Sequence, residues 1–300
     1  MKFLKIAILG GTGFIGSALS EYLQMQGHQV VIFTRNPKVV NKQSELFIKW
    51  PLDPTQVYGD IDGIVNLAGE TINQRWTHRG KERIMTSRIE STRQLIEAIQ
   101  QQILQPKVLI NASAIGYYGT SMDRTFLEKD ESGDDFLAKV TSSWEAEAEK
   151  AVEYGVRVVK ARFGLVLDKH GGALPKMLLP YKMYIGGTVG TGRQWVSWIH
   201  LLDAIGLISF ALHNQSIEGA INVTAPQPVM MKQFGQITGE ILKRPHWAPV
   251  PSIVLKLMLG EMSDLLLKGQ RVLPQKALDN QYKFKFPSIR DALIDIQGNF

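Results

Sequence analysis

A chain of 300 residues with 44% apolar and 21% charged residues has ordinary globular composition and enough length for one large or two modest domains. It contains no cysteine, which excludes disulfides, thiolate metal sites and a cysteine nucleophile. The formal charge of +6 admits an anionic partner, but the cations are scattered apart from short groups such as 75–83. That pattern suits a phosphate-bearing small ligand better than nucleic acid.

The chain opens on an apolar run, Lys5-Ile6-Ala7-Ile8-Leu9, that reads as a buried strand. It breaks at Gly10-Gly11-Thr12-Gly13-Phe14-Ile15-Gly16, and a helical pattern follows with Ile15, Leu19, Tyr22 and Leu23 on one face. Strand, glycines spaced three apart and helix make a dinucleotide-binding fingerprint. Gly10 permits the tight turn, Gly13 lets backbone approach a pyrophosphate, and Gly16 lets helix and strand pack closely. The helix start then offers free N–H groups and the positive end of its dipole to phosphates.

A second buried strand at 29–33 ends in Thr34-Arg35, with Lys38 nearby and no carboxylate. An acidic side chain there would accept bonds from an NAD ribose; a hydroxyl and a guanidinium suit the 2′-phosphate of NADP. The bland alternative is that Arg35 is a solvated loop charge. Strands follow at 46–50 and 62–67, the latter running into Ala68-Gly69-Glu70, where small residues let a cofactor lie across the sheet's carboxyl edge. A basic, aromatic segment at 74–79 leads into a helix over 81–102, with Arg88 near its apolar face. Arg88 either reaches a phosphate or carboxylate or snorkels to water. A fifth strand from 107 carries Ser113 at its end, beside the place a reactive ring would occupy, and Tyr117 and Tyr118 follow in the loop. Ser113 can hydrogen-bond a carbonyl or hydroxyl during hydride transfer, and Tyr117 can serve as acid or base or simply pack. A helix is expected over 136–154 and a sixth strand over 157–162. The histidines show no metal-ligand spacing, so no metal is expected.

Taken together, these residues resemble the extended and atypical short-chain dehydrogenase/reductases, and within them a nucleoside-diphosphate-sugar epimerase-like family with its own C-terminal domain. The matching blocks are 10–16, Asn66 to Glu70, Arg75-Trp76, Ser87-Arg88, 113–118, Trp144-Glu145 and 162–167. The block at 186–200 is the most distinctive, and 222–226 and 269–274 complete the match over nearly the whole chain. The resemblance implies a Rossmann domain holding NADP, with Thr34 and Arg35 at the adenosine phosphate and Leu67 and Ala68, with Gly69 and Glu70, along the dinucleotide. It also implies cofactor contacts from Arg88 and Arg162, and a substrate pocket lined by Arg193, Gln194 and Trp195. One departure stands out. The wider superfamily uses a tyrosine and a lysine four residues later on the helix after the serine strand, whereas 136–145 reads Phe-Leu-Ala-Lys-Val-Thr-Ser-Ser-Trp-Glu. The usual acid/base pair is missing.

Beyond 171 a helical apolar stretch over 174–184 is expected to cover the cleft, and His200 with Asp203 fits an N-terminal cap at a helix start as well as it fits a catalytic pair. From Pro226 prolines punctuate a small helical region with helices at Met231–Leu242 and 252–267, a short strand at 284–287 and a closing helix at 289–296. The stretch 253–267 carries Lys256, Glu261 and Asp264, so it does not span a membrane.

The expected architecture is therefore α/β, a doubly wound Rossmann parallel sheet with a smaller, mainly helical C-terminal substrate-side region. The domains fall at 1–225, NADP-binding with substrate loops, and 226–300. The expected function is an NADP-binding, epimerase-like oxidoreductase acting on a small carbonyl or nucleotide-sugar-like substrate; the alternative is a non-catalytic NADP-sensing protein. A cytoplasmic location, no nucleic-acid or membrane partner, and room for a homodimer complete the reading.

Overall fold

The structure is a computed structural model and describes residues 3–37, 46–56 and 58–298. Seven strands form one parallel sheet: β1 (Lys5–Leu9), β2 (Gln29–Thr34), β3 (Leu46–Lys49), β4 (Gly63–Asn66), β5 (Val108–Ala114), β6 (Arg157–Phe163) and β7 (Gly219–Val223). Their order is β7-β6-β5-β4-β1-β2-β3, so the direction of winding reverses at β1. Ligands of open α/β sheets bind at such a reversal, beyond the carboxyl ends of the strands.

The strands are apolar on both faces because helices cover both. Ile6, Ile8, Val30 and Ile32 face α1 (Phe14–Met25) through Leu19 and Leu23, and α5 (Leu201–His213) through Ile205, Ile208 and Leu212. The alternate residues Ala7, Leu9, Val31 and Phe33 face α2 (His78–Gln100) through Leu95, Ile96 and Ile99, and α3 (Phe136–Glu149) through Ala148. Two N-caps fix where α2 and α3 begin. Thr77 Oγ1 accepts from Gly80 N at 3.1 Å and Asp135 Oδ1 from Ala138 N at 2.9 Å.

A further apolar cluster builds the C-terminal side. Leu174 and Leu178 of α4 (Leu174–Lys182) and the fully buried Trp198 meet Phe234 of α6 (Met231–Leu242), then Phe286, Leu293 and Ile296. This core draws residues from both sides of position 226. His200 caps α5, accepting from Leu202 N at 3.1 Å, and the buried Asp203 accepts from Lys285 N and Phe286 N at 2.7 and 2.8 Å. Both residues of the His200–Asp203 pair are thus structural.

Two local expectations are corrected. The helix expected over 252–267 is broken at Gly260, whose φ of +58° leaves helical space, giving α7 (Ser252–Leu259), a 3₁₀ turn at Gly260–Ser263 and a one-turn α-helix at Asp264–Leu267. Residues 284–287 are not a strand, because Asp203 takes the backbone N–H groups that a ladder would need. Ile289–Gly298 closes the chain as a helix.

Candidate functional site

The glycine turn sits at the carboxyl end of β1. Gly10 has φ +83°, and a Cβ there would stand 2.9 Å from the Leu67 carbonyl, so neither conformation nor space admits a side chain. At Gly16 a Cβ would lie 2.3 Å from Gly10 O, which is the close helix–strand contact the motif requires. Gly13 is the N-cap of α1; it supplies no side-chain cap, and the first turn holds no acidic residue. The positive end of α1 therefore meets the cleft uncompensated. Thr12 is exposed, while Phe14 and Ile15 half-bury their side chains against the core.

The β4 turn is held from below. Asn66 Nδ2 donates to Thr92 Oγ1 at 2.9 Å and Asn111 Oδ1 at 2.7 Å, and Ala68 N donates to Asn66 Oδ1 at 3.2 Å. Trp144 Nε1 donates to the same Thr92 hydroxyl at 2.9 Å, so β4, β5, α2 and α3 converge on the backbone of Leu67-Ala68. All three of Asn66, Thr92 and Asn111 are fully buried, where paired polar groups rigidify and unpaired ones destabilise. Gly69 lies against Arg88: a Cβ would approach its side chain to 3.1 Å. The Arg88 guanidinium donates to Ile84 O at 2.9 Å and rests 5.2 Å from the Trp144 ring centroid. Burial pulls Arg88 down to about 10, against the charge of Glu70, so it remains a cation at neutral pH. Glu70 itself is exposed, its N–H donating to Ser87 Oγ at 3.1 Å.

At the end of β2, Thr34 is half-buried and Arg35 exposed, and Asn36 N donates weakly to Thr34 Oγ1 at 3.4 Å. Lys38 lies outside the described residues.

The β5 end holds a second buried network. Ser113 donates to Glu145 Oε1 at 2.6 Å, and Arg162 meets both oxygens of that carboxylate, Nε at 2.7 Å and Nη2 at 2.8 Å. Arg162 Nη1 also donates to Tyr118 Oη at 2.9 Å and Glu128 O at 3.2 Å, and Tyr118 donates on to Asn222 at 2.7 Å. Burial opposes the charge on Arg162, but its bonds to Glu145 and Tyr118 outweigh burial and hold its pKa above the ordinary value. Burial raises Tyr118 to about 12, so it stays neutral. Arg162 is 3% exposed with four of its five N–H donors committed, and Ser113 is equally buried. Tyr117 differs: its ring lies 3.4 Å from the Arg162 guanidinium carbon, and its hydroxyl has no hydrogen-bond partner among the described residues.

The expected substrate loop divides in the same way. Gln194 is buried, its amide donating to Val189 O and Leu266 O at 3.0 and 2.8 Å. Arg193 is exposed and Trp195 half-buried, its indole N–H donating to Met122 O at 2.9 Å under the Arg271 guanidinium. The segment carrying Arg271 is tied to both walls, by Ser197 Oγ to Gln270 O at 2.8 Å and Gln270 Nε2 to Ile115 O at 3.0 Å. Opposite it, Lys81 pairs with Glu261 and stands over the Phe136 ring. No metal-holding group of acidic and histidine side chains occurs among the described residues.

Glu145, Asn66 and Asn111 were not singled out from the sequence as site residues. The signal was present. Thr141, Trp144, Glu145 and Ala148 fall on one helical face, so Glu145 is a charge in a buried stripe; the two asparagines interrupt apolar strands in matching register.

A parallel sheet with a glycine turn at its winding reversal defines the class: an α/β fold of the dinucleotide-binding Rossmann type. Residues 6–224 match the NAD dependent epimerase/dehydratase family, and 250–296 match a domain of unknown function, DUF1731. The chain belongs to the NAD dependent epimerase/dehydratase family. It is 46% identical to the epimerase family protein YfhF of Bacillus subtilis over 97% of both chains. It superposes on human epimerase family protein SDR39U1, solved with NADPH, at TM-score 0.90 and 33% identity, covering 99% of this chain and 100% of that one. A nucleoside-diphosphate sugar epimerase from Corynebacterium glutamicum gives TM-score 0.78 and 31% identity over 99% of this chain and 59% of the other. No helix among the described residues is long and apolar enough to cross a membrane.

Proposed function

We propose that the protein binds NADP and acts as an epimerase-like oxidoreductase on a small carbonyl or nucleotide-sugar-like substrate. The observation that carries this reading is the glycine cradle of Gly10, Gly13 and Gly16 under an uncapped helix start, beside a β2 end with Thr34 and Arg35 and no carboxylate. The NADPH in the human relative supports the same choice. When bound, the nicotinamide supplies hydride chemistry. The backbone of Gly11, Thr12, Phe14 and Ile15 would hold the pyrophosphate, and Thr34 with Arg35 the 2′-phosphate. Leu67, Ala68, Gly69 and Glu70, steadied by Asn66, would line the dinucleotide, with Arg88 as the nearby cation. Arg162, committed to Glu145, acts from beneath by fixing Tyr117 and Ser113.

For proton movement Tyr117 is the better placed of the two proposed catalytic groups, since its hydroxyl is uncommitted while Ser113 already donates to Glu145. Arg193 and Trp195 would face the substrate, and Gln194 would shape their loop from inside. The 226–300 region would close the substrate side. A second reading, a non-catalytic NADP sensor, is favoured by one fact: α3 has no Tyr-x-x-x-Lys pair.

Stopped-flow absorbance of NADPH against a panel of small carbonyls and nucleotide sugars separates the two. Oxidation with at least one panel member is expected. Tight NADPH binding with no oxidation across the whole panel would sink the enzyme reading and leave the sensor.

A further inference from the structure

Helix α7, Ser252–Leu259, is built inside out. Six of its eight residues are apolar, yet none is buried. Leu255 and Leu259 are half-buried on the inner side, while Ile253, Val254, Leu257 and Met258 form an i, i+1, i+4, i+5 stripe facing outward. Ile253 is 66%, Met258 67% and Leu257 83% exposed. A helix of a water-facing domain places its apolar stripe inward. A contiguous exposed one marks a surface that something else covers.

The charges on α7 and in the segment leading into it select the occupant. Lys256 on the helix, and Lys243 and Arg244 just before it, make no ion pair among the described residues. The carboxylates of this region are all engaged: Glu240 with Arg290, Glu261 with Lys81, and Asp264 with Lys268. The segment is therefore apolar with a surplus of free cations. Trp247, also largely exposed, is anchored by its N–H to Tyr184 O at 3.0 Å, and Arg244 stacks over the Tyr184 ring. Apolar stripe, indole and unpaired cations are the composition of a segment that lies in an anionic lipid interface. A second copy of the chain fits less well, because an isologous contact would set these unpaired cations against their own counterparts.

We infer that α7 docks this protein on the surface of an anionic bilayer, with the 253/254/257/258 stripe entering the interface and Lys256, Lys243 and Arg244 meeting lipid phosphates. The same stretch that carries too many charges to span a membrane is suited to rest on one.

Co-sedimentation with vesicles tests this, using phosphatidylcholine alone and equal parts phosphatidylcholine and phosphatidylglycerol. The intact chain is expected to sediment with the anionic vesicles, to release at high salt, and to stay in solution with phosphatidylcholine. The double variant Leu257→Glu, Met258→Glu is expected to lose at least about tenfold in partitioning. Lys243→Gln with Lys256→Gln is expected to lose about fivefold per cation. Circular-dichroism melting of the variants should match the wild type, since the replaced side chains are largely exposed. Absence of sedimentation with anionic vesicles, or sedimentation unchanged in the Glu variant, overturns the inference. A dimer in sedimentation velocity that the Glu variant converts to monomer, with no vesicle binding, overturns it in favour of a second copy.

Discussion

Replacing Gly13 by valine is expected to leave the fold standing and weaken NADPH binding by about 100-fold or more, ~2.7 kcal/mol. The three glycines of the turn are unequal. A Cβ on Gly16 would strike Gly10 O at 2.3 Å and one on Gly10 would strike the Leu67 carbonyl, so changes there damage the protein itself. Gly13 has φ −80° and ψ 176°, which any residue adopts, and its Cβ would meet only Gly10 O at 3.2 Å. Its other side is open toward the cleft. Valine there costs about 1 kcal/mol as a poor N-cap but fills the space through which a pyrophosphate must approach the α1 amides. Binding measured by isothermal titration, beside a thermal melt, reads the two effects apart. Unchanged affinity would mean that the turn only packs.

The second large effect is structural. Glu145→Ala is expected to lower the unfolding free energy by roughly 3–5 kcal/mol, because it strands the buried Arg162 guanidinium without its counter-charge. The loss also frees Ser113 and loosens the platform under Tyr117, through the bonds at 2.6 to 2.8 Å that meet on this carboxylate. The double variant Glu145→Leu, Arg162→Met is expected to recover much of the stability, since it removes both charges together. Urea unfolding of the three proteins is the measurement. A single variant within about 0.5 kcal/mol of wild type would show that water reaches Arg162 and that the network is not closed.

Much of this architecture was legible in the sequence because its signals are local. The strand–glycine–helix order, apolar strands with helices between them, and small residues after β4 all act within a few residues, and the parallel sheet follows from them. The cofactor side of the site is equally local, built from turns at strand ends. What escaped depends on side chains meeting across the fold. Glu145 reads as one of several helix charges until Ser113 and Arg162, 32 and 17 residues away, are brought to it. Asn66 and Asn111 become one unit only through strand register. Gln194 stands between an exposed arginine and a half-exposed tryptophan, and sequence position alone cannot tell that its amide turns inward to Leu266 O. The 284–287 segment looked like a strand because its apolar residues alternate; Asp203, some 80 residues earlier, decides otherwise by taking its N–H groups.

The most direct test of the cofactor assignment is a paired titration of NADPH and NADH into the wild-type chain and into Arg35→Asp. Arg35 is exposed at the end of β2, so its replacement leaves packing unchanged. A charge-assisted bond to a phosphate contributes about 1.5–3 kcal/mol, so the variant is expected to lose roughly 10- to 100-fold toward NADPH. NADH, which lacks that phosphate, should bind the variant as well as or better than it binds the wild type. Equal losses for both nucleotides, or no NADPH binding by the wild type, would contradict the assignment.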